Sequence, residues 1–235
     1  MNKTAVLKLL KENQNERGIQ HWKKMAPEKT GSLKSFGIGL TQLRKIAKQI
    51  GRNRKLAEQL WKTDIYDAKI IGLLIDEPKE ITREQAELQV EQLHGGYLSH
   101  VFASCDATLA KSPLAFELAC EWLDSPDSTR RRCAYSLLYE LSKKKTVKGM
   151  DDAFLLERVT HIEATIHDEE MWVREAMNSA LMGIGKRNKK LNQAAIRAAK
   201  KIGPVDIDYG DDNDCQPLDV LKHLQSDYLK QKFAS

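Results

Sequence analysis

The 235-residue sequence predicts an all-α protein built as an α-solenoid of stacked helix pairs, with a globular helical bundle as the alternative. Two observations predict it. Apolar residues recur at helical spacing almost throughout, while sustained apolar/polar alternation bounded by Asn-Gly or Asp-Gly turns is missing. The stretches between periodic segments are short and rich in turn and capping residues.

Taken in order, Leu40, Leu43, Ile46, Ala47 and Ile50 form one amphipathic stripe directly after FGIG, and Leu56, Leu60 and Trp61 form the next. Further helices are expected over 64–76, 82–94, 98–111, 113–124, 127–142, 151–166, 170–187, 189–202 and 217–231. Between them stand Asp76-Glu77-Pro78, Gly95-Gly96, Lys111-Ser112-Pro113, Asp124-Ser125-Pro126-Asp127 and Ile202-Gly203-Pro204. SHVFASCDATLAK, STRRRCAYSLLYELSK and EMWVREAMNSALMGIGK each carry a polar group or cation early and a small or apolar stripe later. They are expected to be equivalent second helices of successive pairs, lining an inner face. Only VDIDYGDDNDCQPLD departs from helix; its Asp206, Asp208, Asp211, Asp212 and Asp214 lack the spacing and closing Glu of a calcium loop and read as a solvated acidic loop.

Charged residues make up 30% and apolar ones 41%, and no apolar run approaches the roughly 18 residues that could span a bilayer, which predicts a soluble chain. The N-terminus lacks the apolar core and small-residue cleavage site of a secretory signal, so a cytoplasmic location is expected. Cys105, Cys120, Cys133 and Cys215 are widely spaced, with no CxxC; the first three read as small core-filling thiols. The net charge of +5 is unevenly spread. Residues 1–75 hold 16 Lys/Arg against 6 Asp/Glu, and residues 204–235 hold 3 against 7. That asymmetry fits either a polyanion-binding face or a set of solvated helix faces. A Gly-rich phosphate loop and a nucleophile elbow are both missing, and the six His stand singly, so neither a metal nor another cofactor is expected.

Within HVFASCDATLAK, Asp106 interrupts an apolar run. A carboxylate there must find partners whether it is structural or does chemistry. Phe102 lies one helical turn earlier, on the same face. Arg132 closes the run Arg130-Arg131-Arg132 near the start of a later helix.

The order of these motifs resembles the DNA alkylation repair family of AlkD-like helical-repeat proteins. FGIGLTQLRKIAKQI followed by LAEQLWKTDIYDAKIIGLLI is similar to the family's opening repeats. VFASCDATLAK is similar to its helix with an aromatic residue four positions before an Asp, STRRRCAYSL to its Arg-bearing helix, and WVREAMNSALMGIGKRN to its closing repeats. VDIDYGDDNDCQPLDVLKHL looks like a tail found in one branch. The resemblance covers most of the chain and implies one HEAT-like domain over 1–235, about six helix pairs in an α-α superhelix, with an acidic loop and terminal helix at 204–235. It further implies a concave face that holds duplex DNA by its backbone, in a monomer.

Active relatives hydrolyse the N-glycosidic bond of cationic N3- or N7-alkylated purines such as 3-methyladenine and 7-methylguanine, without flipping the base. Their Asp falls on Asp106, their Arg on Arg132 and their first Trp on Phe102. The implied roles are chemically sensible. A cationic purine is already a good leaving group, so an ionised Asp106 would stabilise the oxocarbenium-like sugar and position water. Arg132 would clamp a flanking phosphate or hold that carboxylate. The second family Trp falls on Ser179, which reduces the aromatic cleft, and some relatives bind DNA, branched forms included, without excising a base. Two readings therefore stand: an alkylpurine DNA glycosylase and a non-catalytic DNA-structure-binding protein. A protein-interaction scaffold is a third. Trp172 is a further substrate-side aromatic candidate. The candidate phosphate contacts are Arg44, Lys48, Arg131, Arg174, Lys186 and Arg187, with Lys45, Arg52, Arg54 and Lys189 behind them.

Overall fold

Fourteen α-helices and three 3-10 turns account for the regular structure of the described residues, with a single isolated bridge between Lys34 and Ile65. The structure is a computed structural model and describes residues 1–25, 31–93, 98–104, 108–209 and 215–234. No described helix is long and apolar enough to cross a membrane. The described chain divides into two compact units, Met1–Leu114 and Ala115–Ser235.

The first unit holds α1 (Lys3–Glu12), α2 (Glu16–Lys24), α3 (Leu40–Ile50), α4 (Arg54–Trp61), α5 (Tyr66–Ile75), α6 (Arg83–Glu91) and α7 (Leu98–Ala103). Helices α1 and α2 are mostly exposed and have no counterpart among the helices expected from apolar spacing. Their signal is the pair of Asn caps: Asn2 and Asn15 accept the backbone N–H of Ala5 and Gly18, each at 2.9 Å. Helix α5 is the centre of this unit, and its YDAKIIGLLI is buried on nearly every side. Gly72 permits the close crossing with α4, since a Cβ there would lie 3.0 Å from the Ala57 carbonyl oxygen.

The FGIG segment is fastened to α5 by one side chain. Asp67, fully buried, accepts the Ser35 hydroxyl at 3.0 Å and the N–H groups of Phe36 and Ile38 at 2.7 and 3.0 Å. Gly37 adopts φ +68° and lies backbone to backbone against Gly18, where a Cβ would come within 2.1 Å of the Gly37 carbonyl oxygen. Gly18→Ala should accordingly destabilise the fold by about 2 kcal/mol or more, the range of backbone overpacking. A chemical denaturation midpoint unchanged by the substitution would contradict this.

The second unit holds α8 (Ala115–Leu123), α9 (Ser128–Ser142), α10 (Asp152–Thr165), α11 (Met171–Gly185), α12 (Lys189–Ile202), α13 (Val220–Leu224) and α14 (Asp227–Ala234). Helices α9 and α11, two of the three segments expected to be equivalent, lie directly against each other. Gly183 lets them approach, since a Cβ there would clash with the Ser142 hydroxyl at 2.3 Å.

Two boundaries differ from expectation. The stretch 98–111 is not one helix through its described part but α7 followed by a 3-10 turn at Leu109–Lys111. The segment 217–231 is two short helices, the first ending at Leu224 with Gln225 as its C-cap and the second starting at Asp227. An apolar run registers burial and not continuity, so neither break is visible in the pattern.

Burial sorts the described thiols. Cys133 is wholly buried and its pKa is pushed up to about 12, Cys120 is half-buried, and Cys215 is exposed. Cys105 lies outside the described residues. In the native protein at pH 8, iodoacetamide should label Cys215 and spare Cys133, as peptide mass spectrometry can check.

The hydroxyl of fully buried Tyr135 has no hydrogen-bond partner among the described residues, and burial raises its pKa well above the ordinary phenol value. Removing that hydroxyl removes an uncompensated desolvation cost. Tyr135→Phe should leave stability unchanged or raise it by about 1 kcal/mol, read from thermal or denaturant unfolding; a loss of similar size would show that the hydroxyl has a partner.

Candidate nucleic-acid interface

Asp106 lies outside the described residues, but its flanks are described: Val101 to Ser104 and Thr108 to Ala110 are all buried. Thr108 donates to the Leu73 carbonyl at 2.7 Å and accepts from Arg52 at 2.8 Å, which anchors the second flank to the end of α5. Phe102 is 2% exposed, so its ring offers packing surface and no open face in this arrangement.

In the second unit, α9 and α11 bring Arg132, Trp172 and Glu175 together, and the extended segment after α12 adds Tyr209. The Arg132 guanidinium sits over the Trp172 ring, 4.9 Å from its centroid, and 4.0 Å from a Glu175 carboxylate oxygen. Burial lowers its pKa, although an arginine keeps its charge at any physiological pH. The Tyr209 hydroxyl donates to Glu175 at 3.0 Å, and its ring lies 5.9 Å from that of Trp172. Burial and the Glu175 charge both raise the Tyr209 pKa. Trp172 itself stays 38% exposed, one of the few large apolar side chains on the surface. A guanidinium stacked on indole, with a tyrosine beside it and one aromatic surface open to solvent, can receive a flat unsaturated ring. Glu175 and Tyr209 escaped sequence reasoning. Trp172 and Glu175 share a helix face by their spacing, a signal that could have found Glu175, whereas nothing in the extended tail pointed to Tyr209.

The other candidates divide by what holds them. Arg131 grips Glu169 with two donors, at 2.8 and 2.7 Å, and the carbonyls of Ser125 and Pro126 with a third. Arg187 donates to the carbonyls of Ser142, Lys144 and Lys145 beyond the end of α9. Arg52 does the same for Leu74 and Asp76 at the end of α5, and Arg54 pairs with Asp76, Glu58 and Gln85. Arg187 and Arg52 thereby serve helix C-termini, where carbonyls lack intrahelical partners, whereas Arg131 serves Glu169 and the loop after α8 and, among the described residues, Arg54 bonds side chains alone. Lys48, Lys45 and Lys189 are exposed, Arg44 is half-buried, and half-buried Arg174 has an Nε without a hydrogen-bond partner among the described residues. Ser179 is half-buried on α11 and places no aromatic ring at that position. Among the described residues no cluster of three or more His, Cys, Asp or Glu could hold a metal.

A family model described as DNA alkylation repair enzyme matches residues 6–207, most of the chain. The chain belongs to the DNA alkylation repair enzyme family. Similar family-length relatives include an uncharacterised protein of Listeria innocua, 24% identical over 197 residues, covering 83% of this chain and 84% of the relative. Another is an uncharacterised protein of Listeria monocytogenes, 26% identical over 204 residues with the same two shares. A solved structure superposes with a TM-score of 0.79 at 23% identity, covering 99% of this chain and 96% of that one. It is described as a new family of proteins related to the HEAT-like repeat DNA glycosylases, with affinity for branched DNA structures. The fold of this DNA alkylation repair family member is therefore the all-α, HEAT-like repeat fold that the helix pairing predicts.

Proposed function

We propose that this member of the DNA alkylation repair family is a DNA-structure-binding protein that recognises branched or unstacked duplex DNA. The observation that carries this reading is the Arg132–Trp172–Tyr209 group with its open aromatic surface. A branch point exposes bases that have lost a stacking neighbour, and an aromatic platform beside a cation binds such bases irrespective of sequence. The basic early part of the chain supplies phosphate attraction. The branched-DNA affinity of the similar solved structure supports the same reading. So does the pair Phe102 and Ser179, since one ring is buried and the other position has none.

The second reading, excision of cationic alkylated purines, is favoured by the sequence resemblance, which carries the active relatives' carboxylate and guanidinium onto Asp106 and Arg132. Following junction binding and base release in the same samples separates the two. The expected outcome is salt-sensitive junction binding and no 3-methyladenine or 7-methylguanine released from methylated duplex above background. Release that disappears in Asp106→Asn establishes the glycosylase instead. The protein would act on double-stranded DNA as a monomer, in the cytoplasm, and without a cofactor.

A further inference from the structure

The second unit carries a cavity of about 780 Å³ walled by the ends of α9 and α11 and by α14. Six cationic side chains line it: Lys143, Lys144, Lys145, Lys186, Arg187 and Lys232. The one carboxylate on its wall, Asp152, has both oxygens taken by the Asn188 amide at 3.0 Å. Part of this charge is structural. Arg187 serves the α9 carbonyls, Lys232 donates to the Lys186 carbonyl, and Lys143 pairs with Glu140 at 2.7 Å while lying over the Tyr139 ring. Lys186 and Lys145 are not engaged in this way by any partner among the described residues. The Lys186 Nζ reaches the Met182 sulfur at 3.3 Å and no carboxylate among the described residues, and burial together with the like charge of Lys143 depresses its pKa. Lys145 lines the cavity and is exposed to solvent. Ammonium groups held close together in a recess have an unfavourable mutual field that a multiply charged anion reverses.

Two aromatic rings complete the site. Tyr139 and Tyr228 both line it, and Tyr228 is 72% exposed. A recess lined by both cations and aromatic rings, and large enough for a nucleotide, differs from an open groove that tracks a continuous backbone. An internal phosphodiester carries one charge; a phosphomonoester carries close to two at neutral pH and three terminal oxygens, which suits convergent lysines better.

We infer that this cavity is a binding site for a nucleotide phosphomonoester, the group that terminates a cut or flapped nucleic-acid strand. Its choice of ligand rests on the DNA reading above, but its chemistry does not, because the same group occurs on free mononucleotides. In a branched or nicked substrate the recess would hold the strand end while the Trp172 group meets unstacked bases.

The test uses the whole protein and fluorescently labelled single-stranded pentanucleotides bearing a 5′-phosphate, a 3′-phosphate or only hydroxyl ends. Anisotropy titration at moderate salt should show a phosphorylated pentamer binding about tenfold tighter than the unphosphorylated one, the scale of a charge-assisted pair. Which end is preferred, and whether deoxyadenosine monophosphate competes, distinguishes a strand end from a free nucleotide. Lys186→Met keeps the half-buried stem in place while removing the charge, and combined with Lys145→Ala it should abolish the preference, with unchanged thermal unfolding confirming the fold. Equal affinity for phosphorylated and unphosphorylated pentamers, or a preference that survives the double substitution, overturns the inference. A hydroxyl-ended four-way junction is titrated alongside. Junction binding without any phosphate preference overturns this site alone; phosphate preference without junction binding supports the site and overturns the branched-DNA reading; binding of neither overturns both.

Discussion

Asp67→Ala is expected to lower the free energy of unfolding by about 3 kcal/mol, the sum of three lost partners at roughly 1 kcal/mol each. The carboxylate is wholly buried and is the shared acceptor of the Ser35 hydroxyl and of two backbone N–H groups in FGIG. With alanine those backbone donors stay in the interior unpaired, which costs more than the loss of a solvated hydrogen bond. The same turn brings Gly37 against Gly18, so its loosening also releases the contact that seats α2. Asp67→Asn should recover only part of the loss, because one of its two polar atoms is a donor facing donors. Denaturant unfolding of the three proteins checks this. An alanine variant within about 0.5 kcal/mol of the parent would mean that the FGIG turn holds itself.

Trp172→Ala is expected to weaken junction binding roughly 10- to 100-fold, the 1–3 kcal/mol associated with one base stacked on one aromatic side chain. Three neighbours set the ring: the Arg132 guanidinium, the Tyr209 ring, and Glu175, which holds both of these neighbours. Because the ring is already 38% exposed and tied to no core cavity, its removal should leave unfolding almost unchanged while affinity falls. Linear duplex should lose less than a junction, since its bases are stacked on one another. Tyr209→Phe provides a finer readout: the aromatic face remains but the hydroxyl bond to Glu175 is lost, so an effect much smaller than that of Trp172→Ala is expected. Equal losses for duplex and junction would assign Trp172 to general packing of the interface and not to recognition of unstacked bases.

The helical architecture was legible because burial on one helix face leaves a period in the sequence, which α3, α4 and α12 carry clearly, while α9 and α11 are buried on most sides and read as apolar runs of helical length. Helices α1 and α2 were not: α1 buries only Val6 and Leu10, α2 buries no side chain, and each is marked chiefly by its Asn cap. The structural role of Asp67 was also hidden. An acidic residue in the first turn of a helix looks like an ordinary dipole partner, and only the fold reveals which distant N–H groups it meets. The basic residues show the same limit at the site. Arg52, Arg131 and Arg187 have the composition of phosphate contacts, yet each reaches backbone carbonyls: Arg52 at the end of α5, Arg131 in the loop after α8 and Arg187 at the end of α9. Arg132 and Trp172, named separately from the sequence, are brought together by α9 and α11. Tyr209 joins them from a stretch with no periodicity at all, and Asp106, the residue most pointed to by family resemblance, lies outside the described residues.

A protein that recognises branched DNA must discriminate between DNA structures. Affinity for a four-way junction and for a linear duplex of equal length and sequence content, each measured over a salt series, tests it. The predicted result is a junction preference that persists as salt rises, with both affinities falling along a counterion-release slope. Equal affinities at every salt concentration, or excision of alkylated purines from the linear duplex that is lost in Asp106→Asn, would contradict it.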